Sequence, residues 1–144
     1  MADSAHYKRP ESVLVVVYTE AGEVLLLNRT HPPGFWQSVT GSLEWGELPE
    51  QAAARELFEE TAIHTSYLHD CKQQHRFTIR PEWRDRYAAD VMENTEHVFT
   101  LKLDAAVTIQ LNPQEHSEYC WLPVKQAAEQ VFSWTNKQAI LDLL

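Results

Sequence analysis

Cysteine is nearly absent from this chain: Cys71 and Cys120 are the only two in 144 residues, and they form no CxxC. Such usage excludes a disulfide scaffold and a zinc ribbon, both of which need clustered cysteines. One disulfide stays open but is not required, and a reducing cytoplasm is the expected compartment. Long hydrophobic runs are missing too. The longest, Val13 to Tyr18, falls far short of the ~20 apolar residues of a membrane-spanning helix. The opening MADSAHYKRPES has no apolar signal core, so no membrane partner is expected. Basic residues are in deficit, 12 Lys and Arg against 21 Asp and Glu, for a formal charge of -9. That argues against nucleic acid as a partner, because such binders neutralise phosphates with a basic surface. It leaves room for an anionic small substrate, since a few placed arginines or a bound metal can reverse the local field.

There is no internal repeat, no low-complexity segment and no block of like charge. With 44% apolar and 23% charged residues the composition is that of a globular protein. The length suits one domain, residues 1–144, as a monomer or small homo-oligomer.

Ser12 to Tyr18 is a β-branched run too continuous for a half-exposed strand, and reads as central in a sheet. A turn through Glu20 to Glu23 leads to a hairpin partner, Val24 to Leu27. Pro32-Pro33-Gly34 breaks the chain, and Gln37 to Thr40 is a short strand. Pro49 suits the first turn of a helix, which should run to about Ala62 with Ala53 and Leu57, flanked by Ala54 and Phe58, as its apolar side and its glutamates on the other. Ser66 to Ile79 reads as an interrupted strand, Arg80 to Asp90 as a loop, Asn94 to Leu103 and Tyr119 to Leu122 as strands. Helices are expected at Val124 to Val131 and Asn136 to Leu144. Strands around one central helix, with helix at the C-terminus, predict a layered α/β or α+β domain.

The chain is organised around Gly41 to Ile63, GSLEWGELPEQAAARELFEETAI. On a helix Glu56, Glu59 and Glu60 crowd one side just after Arg55, and like charges at that spacing cost roughly 0.2–0.5 kcal/mol per pair unless a cation sits among them. A hard divalent metal is the obvious cation. Glutamates alone on a helix are a common solvated face, and an arginine among them is a common surface ion pair. The spacing as a whole is not common: five residues from Gly41 to Glu47, seven more to Arg55, then Glu56-Leu57, one residue, Glu59-Glu60.

This pattern resembles the Nudix box, G-x5-E-x7-R-E-U-x-E-E-x-G-U with U a bulky aliphatic residue, departing from it only at Ala62, where glycine is usual. Three further runs, FWQSVTG (Phe35 to Gly41), NTE (Asn94 to Glu96) and SWTNKQAI (Ser133 to Ile140), are similar to a Nudix subgroup, the bacterial dihydroneopterin triphosphate diphosphatases. The resemblance implies an α/β/α sandwich with a mixed sheet, and a Mg2+-dependent pyrophosphohydrolase, Mn2+ being the alternative metal. The substrate it implies is 7,8-dihydroneopterin triphosphate, hydrolysed to the monophosphate and pyrophosphate in folate biosynthesis. Two rivals stay open: the same chemistry on a (deoxy)nucleoside triphosphate, and a non-catalytic nucleotide-sensing domain.

Within this resemblance Glu56, Glu59 and Glu60 are the catalytic and metal-binding candidates, and the Gly41 carbonyl is a further ligand. Glu47 and Arg55 pair to brace the loop. Glu115 is the distal ligand, Glu118 its substitute, and His116 reads as a surface histidine. Lys8, Arg9, Arg29 and Thr40 are placed to meet the phosphates. Among Trp36, Phe77, Ile79 and Trp134 a flat ring finds its platform, with Ser133 and Asn136 as amide-edge partners and Arg80 in the Phe77 run.

Overall fold

The computed structural model describes residues 7–144; the first six residues of the expected domain lie outside that range. The elements in chain order are β1 (Glu11–Thr19), β2 (Glu23–Arg29), β3 (Trp36–Gln37), β4 (Val39–Ser42), α1 (Pro49–Thr61), β5 (His69–Thr78), a 3-10 helix (Pro81–Arg86), β6 (Glu93–Leu103), β7 (His116–Pro123), α2 (Val124–Gln130) and α3 (Trp134–Leu141).

β1 is central because its side chains are apolar on both faces. Val13, Val15 and Val17 pack with Ala52, Ala53 and Leu57 of α1. Leu14 and Val16 point the other way, onto Ala127, Ala128, Ala139 and Ile140 of α2 and α3. The result is the expected sandwich, a mixed sheet between α1 and the α2–α3 pair. β6 runs parallel to β1 along its full length, Glu11 opposite Thr95 through Thr19 opposite Leu103. The opposite edge of β1 is shared: β4 pairs with Ser12 to Val15 and β2 only with Tyr18. β2 also pairs with β3 and β7, and β5 with β6. The sheet therefore forks where β2 and β4 part, and α1 lies beside the fork.

Several expectations shift. Ala54 and Phe58 face solvent, Phe58 being 54% exposed, while Ala52 joins Ala53 and Leu57 in the core. The small Ala52 and Ala53 let α1 lie close to the sheet, which draws Glu56 and Glu60 into the buried arc instead of leaving them opposite it. The predicted strand over 37–40 is two strands, because Ser38 is pulled away from the ladder by Asn136: its N–H donates to Asn136 Oδ1 at 2.8 Å and its Oγ accepts from Asn136 Nδ2 at 2.9 Å. The interruption in β5 is a register shift between Asp70 and Gln73, where Lys72 takes φ 53° and its N–H donates to Asp70 Oδ1. The Arg80 to Asp90 segment holds a 3-10 helix. Among the described residues no helix is long and apolar enough to cross a membrane.

Candidate active site

The box begins with bracing. Pro49 opens α1, and the Leu48 N–H, which the helix cannot use, donates to the Gln51 side chain at 2.9 Å. Arg55 then grips the preceding loop: Nε and Nη2 donate to the two Glu47 carboxylate oxygens, each at 2.8 Å, and Nη2 also donates to the Ser42 carbonyl at 3.0 Å. Its remaining nitrogen, Nη1, donates to Glu56 Oε1 at 2.8 Å and reaches Glu59 at 3.3 Å. The Arg55 guanidinium holds the Glu47 pKa below the usual carboxylate range, and Glu47 in turn raises that of Arg55. One planar cation thus fixes the loop, the helix and one carboxylate together.

Glu56 and Glu60, one turn apart, face inward beneath β4, 9% and 1% exposed. Gly41 on β4 lies so close that a Cβ there would land on the Glu56 carboxylate. Burial pushes the Glu60 pKa well above its ordinary value. The neighbouring Glu56 and Glu115 push the same way, and the Thr40 backbone amide draws it back. Burial raises Glu56 too, against its bonds to Glu60 and Arg55. Glu60 Oε1 is buried with no hydrogen-bond partner. The helix ends at Ala62, which takes the left-handed conformation, φ 64°, that glycine adopts without cost.

Glu56 and Glu60 open into a cavity of about 720 Å3 in the fork of the sheet, the size of a small-ligand site. Its walls carry Lys8, Arg29 and Arg86. Desolvation and mutual repulsion depress the pKa values of Lys8 and Arg29, while Glu56 acts against this at Lys8 and Glu60 and Glu115 at Arg29. An acidic protein has thus gathered a cationic patch beside two buried carboxylates, an arrangement suited to a polyphosphate and its counter-ion.

The NUDIX domain family matches residues 8–143 of the chain. The chain belongs to the Nudix family. Among its relatives is the dihydroneopterin triphosphate diphosphatase of Escherichia coli K12, 45% identical over 139 residues that cover 93% of this chain and 91% of that one. The enzyme of that name from Haemophilus influenzae is 39% identical over 139 residues, covering 93% and 87%. The solved E. coli dihydroneopterin triphosphate pyrophosphohydrolase superposes with a TM-score of 0.88 at 45% identity, covering 94% of this chain and 95% of its own.

Nudix hydrolases generally use divalent metal ions. Among the described residues no three His, Cys, Asp or Glu side chains already converge at metal-binding spacing. The donor set nevertheless fits: two buried carboxylates with raised pKa values, one with an unpartnered oxygen, and Glu115 on the facing wall of the cavity. Hard oxygen donors of this kind suit a hard divalent cation.

The other Nudix-derived candidates divide between the cavity wall and positions away from it. Thr40, Phe77, Lys8, Arg9 and Arg29 line the cavity; Thr40 Oγ1 donates to the Val13 carbonyl at 2.8 Å, and Arg9 is tied to Glu11 and to the carbonyls of Glu44 and Glu47. Glu59 is exposed at the rim beside Arg55, and Arg80 lies outside the cavity wall, paired with Glu82 and over the rings of Trp83 and Phe132. Ser133 caps α3, accepting from the Asn136 N–H at 3.3 Å, and Asn136 is spent on Ser38. Trp36 and Ile79 belong to the packing and Trp134 is exposed. Glu118 bonds the Asn28 amide at 2.9 Å, away from the cavity.

His116 is no surface residue. It is 3% exposed, its Nε2 accepts from the Gln37 amide at 3.1 Å and stands 3.9 Å from Glu60 Oε1. Burial, helped by Arg29, pushes its pKa down to about 4, so the ring is neutral at ordinary pH. A register shift in the β2–β7 ladder, where Asn28 pairs with Glu118 and Arg29 with His116, breaks the alternation of β7 and turns this ring inward. Arg86, Asn94 and Glu96 also line the cavity unforeseen. The arginine-rich run Arg80-Arg84-Arg86 around Trp83 and the NTE run were the available signals.

Proposed function

We propose that this Nudix chain, a single domain over residues 1–144, hydrolyses 7,8-dihydroneopterin triphosphate to the monophosphate and pyrophosphate in the cytoplasm, with Mg2+ as its metal. The observation carrying this reading is the 45% identity to the E. coli enzyme across nearly the whole of both chains, in a chain that retains Glu47, Arg55, Glu56, Glu59 and Glu60.

Glu56, Glu60, Glu115 and the Gly41 carbonyl would hold the metal, with Glu59 at the rim. A bound divalent ion neutralises phosphate charge and acidifies a water molecule. The protein does the rest by positioning. Lys8, Arg29 and Arg86 draw the triphosphate in, and the repulsion among them is relieved when the anion arrives. Arg55 fixes the Glu56 carboxylate, and Gly41 leaves room for it. His116, uncharged, sits beside Glu60 without competing for phosphate. Glu56 and Glu60 are withdrawn from bulk water at the fork, which strengthens the interactions they make, while Lys8 and Arg86 face the solvent from which the anion arrives.

Pyrophosphate release measured side by side on dihydroneopterin triphosphate, GTP, dGTP and ATP in Mg2+ or Mn2+ tests the reading. The pterin substrate should lead in kcat/KM by about tenfold or more, a transition-state difference of about 1.4 kcal/mol. Faster turnover of a purine nucleotide would overturn the substrate, and no pyrophosphate from any of them would overturn the enzyme.

A further inference from the structure

Phosphate chemistry leaves one wall of the cavity unused. Asn94 and Glu96 on β6 share the sheet face that carries Val98, toward α2 and α3, whereas Glu56 and Glu60 come from α1 on the other face. Both residues are buried, 3% and 5% exposed, and both line the cavity. Asn94 Nδ2 donates to Ser12 Oγ at 2.7 Å, which fixes the amide and leaves Oδ1 free. Asn94 Oδ1 and Glu96 Oε1 are buried without hydrogen-bond partners. His75 Nδ1 stands 3.9 Å from Glu96 Oε1, beyond hydrogen-bond range, and is itself unpartnered.

Unmet buried acceptors are costly, and most buried polar groups in folded proteins are satisfied. Two of them, two residues apart on one strand face at a ligand cavity, make a receptor for adjacent N–H donors. Phe77, opposite Asn94 in the β5–β6 ladder, lines the same cavity with Trp83 and Tyr87, so a flat ring also finds faces to rest on.

We propose that Asn94 Oδ1 and Glu96 Oε1 receive the N–H edge of a 2-amino-4-oxopyrimidine ring, the edge shared by pterins and guanine, and select it over that of adenine. The proposal deepens the pterin triphosphate reading and rests on it for the phosphate end only. A 2-amino-4-oxo ring presents an exocyclic amine beside a ring N–H, two neighbouring donors for two neighbouring acceptors. Adenine presents its amine beside a bare ring nitrogen, which would turn a lone pair toward an acceptor. A site built to hydrogen-bond a donor rejects an analogue lacking it far more strongly than an apolar pocket does, because its own buried groups are left unpaired. Burial holds the Glu96 pKa up to about 7, with the Thr135 hydroxyl drawing it back; arriving N–H groups offset the hydration that the carboxylate has lost.

The test uses phosphate-free rings on the intact, metal-free protein. Neopterin binding is followed by its fluorescence, and guanosine and adenosine by calorimetry. Neopterin and guanosine should bind about tenfold or more tighter than adenosine, and Glu96→Gln and Asn94→Leu should each remove about tenfold for those two rings while leaving adenosine unchanged, in line with loss of one hydrogen bond to a charged or buried group. Thermal melts verify that both variants are folded. Equal loss for all three rings, or an unchanged preference, overturns the proposal. No triphosphate, metal or turnover enters this measurement, so failure of the hydrolase reading would appear separately, as absent pyrophosphate release.

Discussion

Gly41 and Glu56 share one volume: the space a side chain on Gly41 would fill is occupied by the Glu56 carboxylate. Gly41→Ala should therefore displace that carboxylate from the cavity. Turnover is expected to fall about a hundredfold, the usual scale for a misplacement near 1 Å, while circular dichroism and the melting temperature change little. Unchanged kcat would show that the Glu56 position is not needed.

Glu60→Gln removes a buried carboxylate whose pKa lies well above its unfolded value. For such an acid, stability is fully present below the unfolded pKa and is lost as pH rises through the folded one. Metal-free Glu60→Gln should thus unfold at higher denaturant than the parent at pH 8, the difference vanishing near pH 4. Its turnover in Mg2+ should drop more than about a hundredfold, beyond the loss common for groups that merely support a ligand. Chelation should silence the parent enzyme, and added Mg2+ should restore it.

Arg55→Lys keeps the charge and loses the fork that spans Glu47, Ser42 and Glu56. A destabilisation of about 1–2 kcal/mol in urea titrations is expected. Since the Glu47 pKa is depressed by Arg55, the contribution of the pair is present above the unfolded carboxylate pKa and is lost as pH falls through the folded one. Parent and variant should converge in acid.

Ala62→Gly should stabilise the chain by about 1 kcal/mol, because the left-handed backbone at φ 64° costs a residue with a Cβ about that much. Equal denaturant midpoints would mean that the helix end relaxes in the parent.

Glu96→Gln carries a second signature. With a folded pKa of about 7 against an ordinary value of 4.5, the carboxylate withholds up to about 3 kcal/mol from the fold above pH 7. His75 is the titratable group facing it, at 3.9 Å. The variant should gain stability over the parent as pH rises from 5 to 8, read by chemical denaturation at each pH.

How legible this molecule was depends on where its information lies. The box is local: Gly41, Glu47, Arg55, Glu56 and Glu60 sit within 23 residues, so a spacing rule finds them, and the doubly apolar β1 announces its own central place. His116, Asn94 and Glu96 escape because their meaning comes from burial. An acid or a histidine on a strand reads as solvated until tertiary packing turns its face inward, as Gln37 does for His116. The face of α1 differs from its sequence pattern for the same reason: two alanines admit the sheet so closely that the candidate metal-binding glutamates and the packing residues occupy one arc. Ser38 leaves its ladder for Asn136, 98 positions away, a partnership no local window contains.

The parallel ladder between β1 and β6 also sets an order of events. Ser12 and Asn94 meet across 82 positions of chain, whereas the β1–β2 hairpin and the Arg55–Glu47 clamp close over short loops. Long closures are slow, because entropy is lost before contacts reward it. The clamp can thus form early in folding, while the wall facing the ring is completed only when the two distant strands zip together. The wall that carries Asn94 and Glu96 thus depends on a long closure, as do the β2–β7 ladder and the Ser38–Asn136 pair.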